Sequence, residues 1–139
     1  MAAGQGRVHA SDVTNGASTL LFDIHRLDWD ADLLELFGAP PAILPQVVDN
    51  VGALGKTEAA LFARPIPIGG MTGDQQAASL GPAYGRAKAT YGTGCFVLAN
   101  TGTRAPASRE RFLGIITYCL AGVTNYALEG SIFDAGTAI

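Results

Sequence analysis

The chain has 139 residues, 48% of them apolar and 15% charged, with 9 Lys and Arg against 12 Asp and Glu for a formal net charge of −3. That length suits about one domain of ~100–150 residues, and the composition is that of a folding soluble protein. The small acidic excess excludes nucleic acid and anionic membranes as partners, because neutralising phosphates requires clustered Lys and Arg. Charge-free stretches such as Leu113 to Leu128 are interrupted by Gly, Thr, Tyr and Asn, so none reads as a membrane span of ~20 apolar residues. The opening MAAGQGRVHASD has no apolar run of the kind a secretory leader needs. Cys95 and Cys119 sit in apolar contexts and read as buried free thiols in a reducing compartment, which makes the cytoplasm the expected location.

Past a Gly- and Ala-rich leader, the first readable element is TLLFDIHRLDWDADLLELFG. Leu33, Leu34 and Phe37 fall at helical spacing, Asp30 is a suitable N-cap, and Gly38 followed by Pro40 and Pro41 supplies the stop, so an amphipathic helix is expected from about Asp30 to Phe37. The segment AILPQVVDNVGALGKTEAALFARP has no clean period and reads as a connector crossing the surface. IPIGG is a short β-rich run stopped by glycines, and TGDQQAASLG reads as a helix with Thr72 as N-cap, closed by Gly81 and Pro82. In ATYGTGCFVLANTG, Ala89 to Tyr91 and Cys95 to Asn100 are joined by Gly92-Thr93-Gly94, a hairpin pattern. Gly114 to Leu120 and Val123 to Leu128, linked by Ala121-Gly122, give a further hairpin, so the strands are expected to run on as a meander. A helix is expected to begin near Ser131, and barely two turns of it precede Ile139. Helices shorter than about 12–15 residues are marginal alone, and a small meander needs cover on its open face, so the chain reads as a segment of a longer protein.

Two places offer chemistry. Glycines at the Gly92-Thr93-Gly94 turn let backbone N–H groups approach an anion, and the Thr93 hydroxyl adds a donor, so the loop suits a nucleotide phosphate; the same tripeptide also serves a plain tight turn. Asp74 follows a Gly-rich strand end at the opening of a helix, where carboxylates of α/β folds project into a crevice; an Asp in a first turn also satisfies the helix dipole. That dipole favours its anion and makes it a mild base, which phosphoryl transfer tolerates because positioning outweighs proton abstraction. Neither a Walker A loop nor GxGxxG is present, His9 and His25 have no ligand neighbours, and no GxSxG elbow occurs. No metal site is expected from protein groups.

Taken together, SDVTN (Ser11 to Asn15) with LLFDIHRLDWD, IPIGGMTGDQQAA, ATYGTGCFVLANTG and YALEGSIFDAGTAI resemble the glycerol kinases of the FGGY carbohydrate-kinase family. The likeness covers nearly all of this chain but only the middle of the family's longer polypeptide. It implies an α/β, actin-like (ribonuclease-H-like) ATPase fold held incompletely, with residues 1–81 ending the first domain and 82–139 opening the second. It implies ATP-dependent phosphorylation of glycerol to glycerol 3-phosphate, with Mg²⁺ accompanying the nucleotide and ATP and ADP as ligands. By the same resemblance Asp74 is the catalytic carboxylate that activates the substrate hydroxyl and, with Gln75 and Phe96, binds glycerol, while Thr93, Gly94 and Gly136 bind nucleotide. A carboxylate, an amide and a Phe are the acceptors and the apolar wall a small triol needs. From strand pattern alone, Phe96 reads as a core residue rather than a ligand contact, and Cys95 beside it reads as packing.

Departures from the family pattern are also present. GPAYGRAKA is a few residues shorter than usual, which leaves the crossover between domains open. NGAST (Asn15 to Thr19) lacks the arginine of Asn-Ala-Ser-Arg-Thr, and LFARP does not resemble a fructose-bisphosphate loop, so no such regulation is expected. The family's N-terminal phosphate hairpin, other glycerol-binding groups and adenosine helices are not found, and the chain by itself is expected to be inactive. The alternatives are a non-catalytic nucleotide-binding remnant and a kinase segment for another FGGY sugar; self-association is left open.

Overall fold

A computed structural model describes residues 8–80, 85–108 and 110–136. In chain order its elements are β1 (Ala10–Asp12), α1 (Val13–Ala17), β2 (Phe22–Asp23), β3 (Asp28–Trp29), α2 (Ala31–Phe37), a 3₁₀ turn (Pro41–Ile43), β4 (Gln46–Val48), β5 (Val51–Lys56), α3 (Ala59–Phe62), β6 (Pro67–Gly70), α4 (Asp74–Ala77), β7 (Ala87–Tyr91), β8 (Cys95–Gly102), β9 (Leu113–Leu120) and β10 (Val123–Ile132).

The expected α2 forms for the expected reasons. The Asp30 side chain accepts from Asp32 N and Leu33 N, and Gly38 closes the helix in the left-handed region at φ 64°. Its apolar face is narrower than the spacing implies: Leu34 is buried, but Phe37 stands 61% exposed. The supposed connector of residues 42–65 is structured. Within it β4 pairs in parallel with β1, β5 pairs with β6, and Asn50 is buried. No period betrays it because β4 is only three residues long and β5 is broken by Gly52 and Gly55. The leader is likewise not featureless, since it holds β1 and α1.

The largest sheet has the order β7-β8-β10-β9, all pairs antiparallel. Both hairpins are therefore present, but the meander is not: β10 inserts between β8 and β9. The turn at Ala121 and Gly122 (φ 52° and 76°) brings β10 back along β9, and the long connection after Gly102 lets β9 take the outer edge. That edge is drawn inward by the core, where Ile116 and Cys119 of β9 pack with Val13 of α1, Phe22 and Tyr126, bordered by Trp29 and Val47. Full burial of a side chain such as Ile116 contributes about 1.5–3 kcal/mol. Cys95 and Cys119 are both free and buried, as their contexts suggest.

The helix expected near Ser131 is also absent from the described residues. Ser131 and Ile132 continue the β10 ladder opposite Phe96 and Cys95, and Phe133 to Gly136 form a turn. Ladder pairing satisfies backbone groups that two helical turns would leave half unpaired. Gly81 and Pro82, expected to close the TGDQQAASLG helix, lie outside the described residues, as do Thr137 to Ile139.

The β9–β10 turn holds Ala121 in the left-handed region, where a Cβ is unfavourable and Asn or Gly is preferred. Ala121→Asn is expected to raise the stability of the chain by about 1 kcal/mol, read as a higher urea midpoint at unchanged slope; an unchanged or lower midpoint contradicts the turn geometry.

Candidate functional site

Asp12 ends β1 and caps α1 with extended backbone (φ −79°, ψ 163°). Its carboxylate is completely buried. It accepts from Thr14 N at 2.9 Å and Asn15 N at 3.3 Å, from the Thr14 hydroxyl, from the Asn15 amide, and from Asn50 Nδ2 at 2.8 Å. A buried charge is tolerable only with such a full set of donors. Thr14 passes the arrangement on: while its hydroxyl donates to Asp12, its oxygen accepts from Gly73 N at 3.0 Å. Gly73 is the N-cap of α4, and Asp74 is the first residue of that helix.

Asn50 ties the same centre to the sheet with every polar atom it has. Its Nδ2 donates to Met71 O at 2.9 Å as well as to Asp12, and its Oδ1 accepts from Cys119 N at 2.7 Å. Its backbone N–H donates to Cys119 O at 3.1 Å, and its carbonyl accepts from Met71 N at 2.9 Å. The loop that delivers Asp74 is thus pinned on one side by Asn50 and on the other by Thr14.

Thr72, expected as N-cap of the Asp74 helix, is not. Gly73 takes that place without a side-chain bond, and the Thr72 hydroxyl lies 3.4 Å from that of Thr14. The reason is the Thr14 hydroxyl, which already accepts from the loop at Gly73. Asp74 is exposed, and its Oδ1 accepts from Gln75 N at 2.7 Å. Gln75 is half-buried; its carbonyl accepts from Ser79 Oγ at 3.0 Å and from Lys88 Nζ of β7 at 3.4 Å, and its buried Nε2 has no hydrogen-bond partner.

The remaining expected residues gather at the β7–β8 turn. Gly92 N donates to Gly94 O at 2.8 Å, and Gly136 N donates to Thr93 O at 2.9 Å, leaving the exposed Thr93 side chain outside this backbone pairing. Gly136 approaches so closely that a Cβ there would lie 2.5 Å from Gly92 O, and one on Gly94 would lie 3.0 Å from the Phe96 ring. Phe96 is half-buried and meets Phe133 edge-on, with centroids 6.2 Å apart. Thr93, Gly94, Phe96 and Gly136 therefore form one group and Asp74 with Gln75 another; Lys88 ties α4 to β7, the strand that leads into the turn.

Asp12, Thr14 and Asn50 carry no role in the sequence reading. An Asp two residues before a Thr at the start of a helix is an N-cap signal for the first two. Nothing local marks Asn50, whose partners lie 21, 38 and 69 positions away. Beside it, burial pushes the Cys119 thiol above its ordinary range, a push that the Asp49 carboxylate adds to and the Thr124 hydroxyl opposes. Cys119 is a packed neutral thiol, not a nucleophile. Among the described residues no three His, Cys, Asp or Glu gather to hold a metal, and no helix is long and apolar enough to cross a membrane.

Asn50→Ala strands Cys119 N and Met71 O and removes one donor from Asp12. A loss of about 3 kcal/mol in unfolding free energy is expected, measurable by urea denaturation. Gly136→Ala places a methyl against the Gly92 backbone and is expected to cost about 1–3 kcal/mol, with NMR shift changes concentrated at residues 92–94; changes spread evenly over the sheet would contradict the contact.

Residues 3–81 match the N-terminal domain of the FGGY family of carbohydrate kinases. Over 137 residues, 96% of this chain, the sequence is 56% identical to the glycerol kinase of Methylobacterium nodulans and 53% identical to that of Rhodospirillum centenum. The chain spans about 27% and 28% of the length of these two relatives. Among solved structures, the ADP-bound glycerol kinase of Plasmodium falciparum superposes with a TM-score of 0.89 at 37% identity, covering 98% of this chain and 28% of that one. Xylulose kinase of Rhodospirillum rubrum, at 21% identity and a TM-score of 0.73 over 98% of this chain and 28% of its own, shares the fold. The architecture is thus a part of the actin-like ATPase fold of these sugar kinases, and the chain belongs to the FGGY family of carbohydrate kinases.

Proposed function

We propose that this chain supplies the hydroxyl-activating carboxylate and the nucleotide-phosphate turn of an ATP-dependent glycerol kinase. Residues 1–81 would close the first domain and 82–139 open the second, a division supported by the family match over residues 3–81. The observation that carries the activity is Asp74: a solvent-facing carboxylate at the start of a helix, on a loop held from both sides by partly buried hydrogen bonds, in a chain more than half identical to glycerol kinases. The ADP-bound state of the Plasmodium falciparum glycerol kinase, at 37% identity, supports nucleotide as the second ligand. Another sugar is less well supported, since the xylulose kinase of Brucella ovis is 25% identical.

In this reading a glycerol hydroxyl lies against Asp74, which takes its proton as the oxygen attacks the γ-phosphorus of ATP and the bond to the β-phosphate oxygen breaks, releasing ADP. Asp74 need only be a weak base, because the transition state is loose and the nucleophile gains little charge before bond formation. The unpartnered Gln75 Nε2, buried as it stands, would have to turn outward to donate to a second hydroxyl, and Phe96, in the other group of residues, would supply the apolar wall for the carbons where the two groups face one substrate. Thr93 and Gly94 lie on the phosphate-facing turn, which Gly136 buttresses. Mg²⁺ would enter with the nucleotide and would neutralise charge developing on the phosphates; among the described residues no three His, Cys, Asp or Glu gather to hold it.

Because the chemistry is mainly positioning, the chain by itself is expected to turn over no glycerol. A chimera tests both halves of the reading: the Methylobacterium nodulans glycerol kinase with its matching 137 residues replaced by this chain. Glycerol-dependent ADP formation is expected from the chimera, and a loss of about 10³-fold in kcat with Asp74→Asn. ATP binding without glycerol dependence, sensitive to Thr93→Val, would support the nucleotide-binding remnant instead.

A further inference from the structure

We infer that Thr14 is a positioning residue for Asp74, acting through the Gly73 amide; the inference rests on the kinase reading above. Thr14 and Asp74 are 60 positions apart, yet the Thr14 hydroxyl oxygen accepts from Gly73 N at 3.0 Å, and Gly73 is joined by a peptide bond to Asp74. The hydroxyl has a defined polarity. Its proton is committed to the buried Asp12 carboxylate, so its lone pairs are left for the loop. Asp12 cannot turn away, because Thr14 N, Asn15 N and Asn50 Nδ2 hold it from other directions. A chain of three groups thus runs from an immobile carboxylate to the cap of α4.

Alternatives for holding Gly73 are poor. Its N–H opens a helix of four residues, too short to hold its own end, and it has no capping side chain of its own. Asn50 fixes the loop two residues earlier, at Met71, which leaves the final approach to Asp74 to Thr14. Thr14 is completely buried and Asp74 is exposed, so Thr14 is not a substrate contact and acts by setting where the carboxylate stands. A displacement of about 1 Å of a reacting group is worth up to ~100-fold in rate.

Thr14→Val keeps the shape and removes the hydroxyl, whereas Thr14→Ser keeps the hydroxyl. In the 139-residue chain, Val is expected to speed amide hydrogen exchange at Gly73 by about tenfold while β8 and β10 amides keep their protection, with Ser near wild type. In the chimera, Val is expected to lower kcat by about 10- to 100-fold with KM for ATP unchanged, and Ser to restore it to within about threefold. Equal kcat for Val and the unaltered chimera, equal losses for Val and Ser, or uniform loss of protection across the sheet would each overturn the inference while leaving the kinase reading intact. An inactive unaltered chimera would overturn both.

Discussion

The buried Asp12 carboxylate is the constraint on which the rest of the structure depends. A charge taken wholly out of water must find several donors at once, and those donors come from two separate stretches, the start of α1 and Asn50 just before β5, while the loop before α4 donates in turn to Thr14. Each donor has further obligations. Asn50 binds the edge strand β9 through Cys119, and so joins the small β1–β4 pair to the four-stranded sheet. The apolar cluster around Ile116 lies beneath the same junction, so burial and polar satisfaction select one arrangement together.

A second constraint operates at the β7–β8 turn and is steric. Gly136 lies closer to the Gly92 backbone than any residue with a Cβ could, and its N–H bonds the Thr93 carbonyl. The end of the described chain is thereby folded back against the turn. It also explains why Ser131 and Ile132 remain in the strand: a helix starting there would carry Gly136 away from its acceptor. Some of the chain's 18 glycines are used for this contact, where a backbone must touch a backbone.

Short-range features were legible to the extent that their determinants are local. The Asp30 cap and the Gly38 stop of α2 lie within one helix, and the Gly92-Thr93-Gly94 and Ala121-Gly122 turns each act on adjacent strands, so all were readable. The β10 insertion between β8 and β9 was not, because hairpin patterns are blind to which strand takes the edge; the packing of β9 on α1 decides that. Residues 42–65 were illegible for the same reason: a three-residue parallel strand and a single buried Asn leave no period, and their partners lie far off in the sequence.

Sequence alone determined the chemical inventory: the glycine turn, the Asp74-Gln75 pair at a helix opening, two buried thiols, the lack of local metal-ligand spacing, and a resemblance strong enough to name a family. Tertiary structure alone decided how that inventory is held. It put Asp12 out of water, joined Thr14 to Gly73 across 59 positions, and set Phe96 beside Gly94 and Phe133. The physical reason is that caps, turns and helical stops act over a few residues, whereas the demand of a buried carboxylate for donors is met by whichever atoms the packed chain brings within about 3 Å.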